Sequence, residues 1–176
     1  FVGVDVFFVI SGYLITSIIL SDINENKFSL LTFYERRIRR ILPALLLVSA
    51  VCVPLASMWL LPTDTVKFAK SVIGVATFSS NITFWLDSGY FDTAGELKPL
   101  LHTWSLAVEE QYYLLFPLYL ILTIRLSIRW SLVILIAIFI VSLILAHWAA
   151  FNKPGAAFYL LPTRAWELLL GSFIAL

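Results

Sequence analysis

At 176 residues the chain has the length of one helical bundle with short loops rather than of two domains. It is 61% hydrophobic and 13% charged, with a mean hydropathy of +0.95, which excludes a soluble globular domain carrying roughly twice that share of charge and predicts an integral membrane protein. A net charge of +1, with the arginines gathered mainly at one place, excludes a basic nucleic-acid-binding surface.

The first apolar stretch covers residues 4–20, with Asp5 near its start and Ser11-Gly12 in its middle. A carboxylate there is suited to capping the helix N-terminus. Ser11-Gly12 makes a small-residue notch that another helix or an acyl chain can approach closely. The second stretch, residues 41–61, begins around Pro43 and closes at Pro62. Before it stands Phe33-Tyr-Glu-Arg36-Arg37-Ile-Arg39-Arg40, four arginines in five positions. Two readings stand side by side. The cluster anchors topology by snorkelling to anionic headgroups, or Arg36, Arg37 and Arg40 grip the phosphates of a bulky anionic donor. The single cysteine, Cys52, lies mid-span and reads as a packing residue.

Residues 67–86 are weaker, dotted with polar side chains and ending near Trp85 as an interfacial segment does. If they do not cross, the basic loop at Lys27 and Arg36–Arg40 shares a face with the one at Arg125 and Arg129, as the positive-inside rule prefers. The expectation is therefore an interfacial or re-entrant segment, with spans at residues 4–20, 41–61, 100–124, 130–150 and 159–176 running alternately inward and outward. Loops 87–100 and 151–158 then lie on the outer face. The fold class expected is all-α, a polytopic transmembrane helix bundle, since the period-2 alternation of a membrane barrel is absent.

The third span opens with His102-Thr-Trp104-Ser105-Leu-Ala-Val-Glu109-Glu110-Gln-Tyr. Ionisable groups at the mouth of a membrane helix are expensive to desolvate and usually mark a path or a site. At about 100° per residue, His102, Ser105 and Glu109 fall on one stripe, with Glu110 and Tyr113 on the next. Either this stripe carries acid/base chemistry, or Glu109 and Glu110 bind an arginine of another helix and His102 is a helix-start residue bonded to Glu109. His147, near the end of the fourth span, reads as an interfacial structural histidine. In the fifth, Arg164 and Glu167 are three apart. They neutralise each other, or reach across to Glu109 or Glu110 and line a polar cavity. There is no Cys/His cluster with metal spacing, no phosphate-binding glycine loop and no Gly-x-Ser-x-Gly elbow.

Four motifs together resemble the acyltransferase-3 family of membrane-bound O-acyltransferases, in particular members that O-acetylate bacterial surface polysaccharides such as lipopolysaccharide O-antigen. They are Phe1-Val-Gly-Val-Asp5-Val-Phe-Phe-Val-Ile-Ser11-Gly12-Tyr13, Phe33-Tyr-x-Arg36-Arg37-x-x-Arg40-x-x-Pro43, Leu101-His102-Thr-Trp104-Ser105-Leu-Ala-Val-Glu109-Glu110-Gln111, and Leu161-Pro-Thr-Arg164-Ala-Trp166-Glu167-Leu-Leu-Leu-Gly171. The resemblance implies that residues 1–176 are part of a single membrane acyltransferase domain, truncated at both ends, in the inner (cytoplasmic) membrane of a bacterium. It implies transfer of an acyl group, most often acetyl, from a cytoplasmic acyl-CoA to a glycan hydroxyl on the outer side, with membrane lipid as surroundings, no bound cofactor and no nucleic acid. Arg36, Arg37 and Arg40 would hold the donor. His102, Glu109, Glu110, Arg164 and Glu167 would line the site or its support, with Asp5, Ser11, Trp104 and Ser105 as structural or site-lining positions. The family's principal arginine and histidine precede the Gly3-Val4-Asp5 motif, so the piece itself is expected to be inactive. Many relatives carry a C-terminal SGNH-type domain as well.

The chemistry expected is removal of a proton from the acceptor hydroxyl, attack on a thioester carbonyl, and stabilisation of the oxyanion by intramembrane arginines. A rival reading is a transporter or permease using buried Glu, His and Arg as a substrate or proton path. Paired half-helix interruptions in two repeats would favour it, and the sequence shows no internal repeat. A purely structural bundle is the third, and it leaves four polar clusters without a role.

Overall fold

In lipid every backbone N–H and C=O must be satisfied within the protein, so long apolar runs close on themselves as helices. The computed structural model describes residues 2–88, 95–123 and 128–176. Among them the regular elements are α1 (Val2–Asn24), α2 (Leu30–Trp59), α3 (Pro62–Ala76), α4 (Ser80–Asp87), α5 (Thr103–Thr123), α6 (Ile128–Asn152), α7 (Pro154–Tyr159) and α8 (Leu161–Ala175), with a 3₁₀ turn at Gly95–Leu97. The all-α expectation holds.

Among the described residues, three stretches are long and apolar enough to cross a membrane, Val2–Asn24, Leu30–Trp59 and Arg129–Asn152. Helix α5 carries Glu109 and Glu110 in its first two turns, and α8 has 15 residues, about 22 Å against a core of about 30 Å. Large side chains such as Leu47, Trp59, Leu122, Ile144 and Phe151 are exposed, as a surface bathed in lipid tails requires. Ile124 and Arg125, which entered the span and charge-bias readings, lie outside the described residues.

Three boundaries differ from the sequence expectation, the simplest being that the expected loop 151–158 is largely helical, as the end of α6 and as α7. Helix α2 does not begin at Pro43 but runs through it and through Pro54, 30 residues or about 45 Å. The arginines are thus its opening turns, supported by a Glu35–Arg39 ion pair of 2.6 Å at i,i+4 and by Arg37 lying 5.8 Å from the Phe33 ring. Residues 67–86 are not one segment. A Schellman turn ends α3: the Ser79 N–H donates to Gly74 O (2.7 Å) and the Phe78 N–H to Val75 O (3.2 Å), with Phe78 left-handed at φ 52°. Helix α4 then folds back along α3. A Cβ on Gly74 would lie 3.1 Å from Ser80 Cα and 2.5 Å from Thr83 Oγ1, so the hairpin closes tightly there. Neither arm, about 22 Å and about 12 Å, is long enough to cross.

The chain forms two compact units. One comprises Phe1–Lys27 and Val108–Leu176, the other Phe28–Ala107. In the first, α1 lies along α8 and both run in the same direction. The helices touch backbone to backbone: a Cβ on Gly12 would sit 1.9 Å from Leu168 O, and one on Gly171 1.9 Å from Val9 O. The Ser11-Gly12 notch therefore receives a helix. In the second unit the Ser80 hydroxyl donates to Thr103 O (3.0 Å) and accepts from Thr103 Oγ1 (3.1 Å), both residues buried. This joins the start of α4 to the start of α5.

Candidate functional site

Each unit holds a polar centre, and each is built differently. In the first, Asp5 of α1 meets Arg164 of α8. The Arg164 Nη2 donates to Asp5 Oδ1 and also stands 3.0 Å from Glu167 Oε2. Burial is graded: the side chain of Glu167 is 4% exposed, that of Arg164 14% and that of Asp5 42%. Phe8 and Phe158 place their rings 5.5 and 6.0 Å from the guanidinium carbon. One guanidinium thus serves two carboxylates between two aromatic faces, an arrangement for which its planar fork suits it better than an ammonium. Arg164 and Glu167 pair on their own helix, as one reading held. Asp5 reaches Arg164 from another helix, a carboxylate that the residues offered as a cap and the resemblance as a structural or site-lining position.

Glu109 is buried on α5 and accepts from the Tyr113 hydroxyl one turn on, a bond that crosses the two stripes expected from the sequence. Glu110 is half-buried with Oε1 shielded from solvent. A chain of hydroxyls that the sequence reading missed ties three helices nearby: Thr16 of α1 donates to Ser172 of α8 at 2.8 Å, and Ser172 lies 2.7 Å from the Tyr112 hydroxyl of α5. Only Ser11-Gly12 hinted at it, through the small side chains a close helix crossing needs. Ser11 itself is buried.

Ser142 of α6 sets the turn that carries Arg164. Its hydroxyl donates to Pro162 O at 2.8 Å and accepts from the Trp166 N–H at 3.0 Å, bridging two groups that an α-helical i→i−4 bond would join. Replacing Ser142 by Ala is expected to destabilise the full-length protein by about 1–2 kcal/mol, since both hydrogen bonds of a buried hydroxyl are lost together. Thermal unfolding in detergent checks it, and an unshifted midpoint refutes the bridging role.

In the second unit, Arg40, Ile41, Ala44, Leu45 and Val48 recur at helical spacing along one face of α2. With His102, Thr103 and Leu106 they line a cavity of about 300 Å³. Arg40 brings a guanidinium and His102 an imidazole, both exposed, and the aliphatic side chains around the buried Leu45 an apolar wall. His102 lies in the turn just before α5, where the Ser105 hydroxyl donates to its carbonyl at 3.2 Å and the buried Trp104 follows. Arg40 and His102 thereby share one space, although 62 positions separate them in the sequence. Arg36 turns back on its own helix, Nε donating to Thr32 O at 3.4 Å, and Arg37 lies by Phe33. The cavity can take a molecule with an anionic group at one end and an apolar or neutral arm, with a proton-transfer group alongside.

A family model described as an acyltransferase domain matches residues 1–176. An uncharacterized protein of Haemophilus influenzae is 41% identical over 98% of this chain and 73% of its own length. The O-acetyltransferase OatA of Staphylococcus aureus is 37% identical over 99% of this chain, which spans 30% of that protein. For the peptidoglycan O-acetyltransferase OatA of Listeria monocytogenes the figures are 36%, 99% and 29%. No solved structure matches.

Proposed function

The chain belongs to the acyltransferase-3 family, and from that premise we propose that its protein is a multi-pass enzyme of the bacterial cytoplasmic membrane that moves an acetyl group from acetyl-CoA to a hydroxyl of a cell-surface glycan. The observation that carries this reading is the cavity shared by Arg40 and His102. A coenzyme A thioester is an anionic phosphate body on a long neutral arm. Guanidinium forks suit its phosphate oxygens, and the aliphatic face of α2 suits the arm. The O-acetyltransferase names of two relatives support acetyl as the group and oxygen as its destination, and one of those names specifies peptidoglycan.

In the step proposed, a base takes the proton of the acceptor hydroxyl and its oxygen attacks the thioester carbonyl. The C–S bond then breaks, and the departing thiolate receives a proton to leave as the free thiol. His102 serves as the second acid/base group: it gives the thiolate its own proton and regains one from the base that took the hydroxyl proton. Arg40, with Arg36 and Arg37 on the neighbouring turns, holds the donor by its charge.

The test uses the full-length protein. Arg40→Ala is expected to raise the half-saturating acetyl-CoA concentration about 10–100-fold, the worth of one charged hydrogen bond of about 1.5–3 kcal/mol. His102→Gln is expected to lower turnover by 10²-fold or more at saturating donor. Thiol release and NMR of O-acetyl groups on purified surface glycan read both. Unchanged donor saturation in Arg40→Ala overturns the placement, and unaltered glycan acetylation on deletion of the gene overturns the transferase.

A further inference from the structure

We propose that a second, smaller recess of the same unit binds one hydroxyl of an uncharged sugar and so forms the acceptor subsite; the word acceptor, though not the binding, rests on the acyl-transfer reading. The recess lies between the α3–α4 hairpin and the segment leading to α5. It is lined by Asp64, Lys67 and Phe68 of α3, Phe84 and Asp87 of α4, and Lys98.

Its size decides what enters. The space is about 10 Å³, at the threshold for one water-sized group, so a single hydroxyl fits and the sugar ring lies across the mouth. Its chemistry decides the class. Asp64 and Asp87 bring carboxylates that accept from sugar hydroxyls, and Lys67 and Lys98, whose ammonium groups carry three N–H donors each, can give one to a ring or hydroxyl oxygen beside the contacts they already make. The charges sum to zero, so the recess offers neither an anion nor a cation a net attraction. Phe68 and Phe84, nearly buried at 7% and 2% exposure, close the floor of the recess beneath that hydroxyl.

Position joins this recess to the donor cavity. Pro99 lines the first and His102 the second, and three residues of chain span at most about 10 Å. The Ser80–Thr103 hydrogen bonds fix α4 against that stretch. A hydroxyl held among Asp64, Asp87 and Lys98 is thus one short loop from the imidazole.

The test reads binding without any donor, so it stands whether or not acetyl transfer is found. Full-length protein in detergent is titrated calorimetrically with a neutral N-acetylglucosamine tetramer. Binding by the wild type, weakened about tenfold or more in Asp64→Asn and in Asp87→Asn, supports the subsite. In the unaltered protein, saturating tetramer should also slow modification of Lys67 and Lys98 by an amine-reactive ester, read by mass spectrometry; this needs no variant to fold. Three results overturn it: no binding by the wild type, wild-type affinity in both variants, or lysine labelling rates untouched by the sugar. Tighter binding of a tetragalacturonate than of the neutral tetramer also overturns it.

Discussion

Arg164→Ala is expected to destabilise the protein by about 3–5 kcal/mol, the range for removing one partner from a buried ion pair. Total stabilities are about 5–15 kcal/mol, so folded yield should fall sharply. The reason is the carboxylate left behind. Glu167 is 4% exposed and its neighbouring cation is Arg164 at 3.0 Å, whereas Asp5, 42% exposed, retains access to solvent. The two carboxylates therefore behave differently in double-mutant cycles. Glu167→Gln combined with Arg164→Ala should recover most of the loss, because the buried charge is gone. Asp5→Asn combined with Arg164→Ala should recover little. Arg164→Lys should fall between, since an ammonium supplies a point charge but not the planar fork lying between the Phe8 and Phe158 rings. Thermal melting and folded yield of the full-length protein in detergent measure all four. Wild-type stability in Arg164→Ala would dissolve the triad as a support of the fold.

What could be read from the residues was set by range. Hydropathy alone placed the long helices, because lipid leaves an apolar run no alternative to internal hydrogen bonding. The arginine cluster and the motif holding His102 were visible as charge out of place, though not that Arg40 and His102 would share a cavity. That depends on α2 continuing helically through Pro43, where an interior proline ordinarily breaks the ladder. The α3–α4 break was hidden for a local reason: the left-handed position after α3 is filled by Phe78, where glycine or asparagine is usual. The Asp5–Arg164 pair was hidden by distance, 159 positions. Arg164 had nearer carboxylates to choose from, and Asp5 had a complete local explanation as a cap. One signal was nevertheless present. Asp5 precedes Gly12 by seven residues, and Arg164 precedes Gly171 by the same interval. Two parallel helices that meet at paired glycines place their members two turns earlier side by side as well.

That shared interval makes the glycines the other positions of large effect. Gly12→Ala and Gly171→Ala each set a methyl carbon 1.9 Å from a carbonyl oxygen of the facing helix, Leu168 or Val9. No rotamer relieves a clash between Cβ and backbone, so the helices must part. Parting them stretches the 2.8 Å bond from Thr16 to Ser172 and the 2.7 Å contact of Ser172 with Tyr112. A cost of about 3 kcal/mol, at the upper end for overpacking, is expected for either variant. Gly3→Ala is the control on the same helix, where an added Cβ meets nothing within 4 Å. There alanine's helix propensity should leave stability unchanged or raise it by up to about 1 kcal/mol. Because the glycines lie two turns from the Asp5–Arg164 contact, spreading the helices also loosens that pair. Gly171→Ala combined with Asp5→Asn should therefore cost less than the sum of the separate changes. Melting midpoints of the full-length variants decide it: if Gly12→Ala and Gly171→Ala melt like Gly3→Ala, the two helices do not meet backbone to backbone, and the alignment that brings Asp5 to Arg164 goes with them.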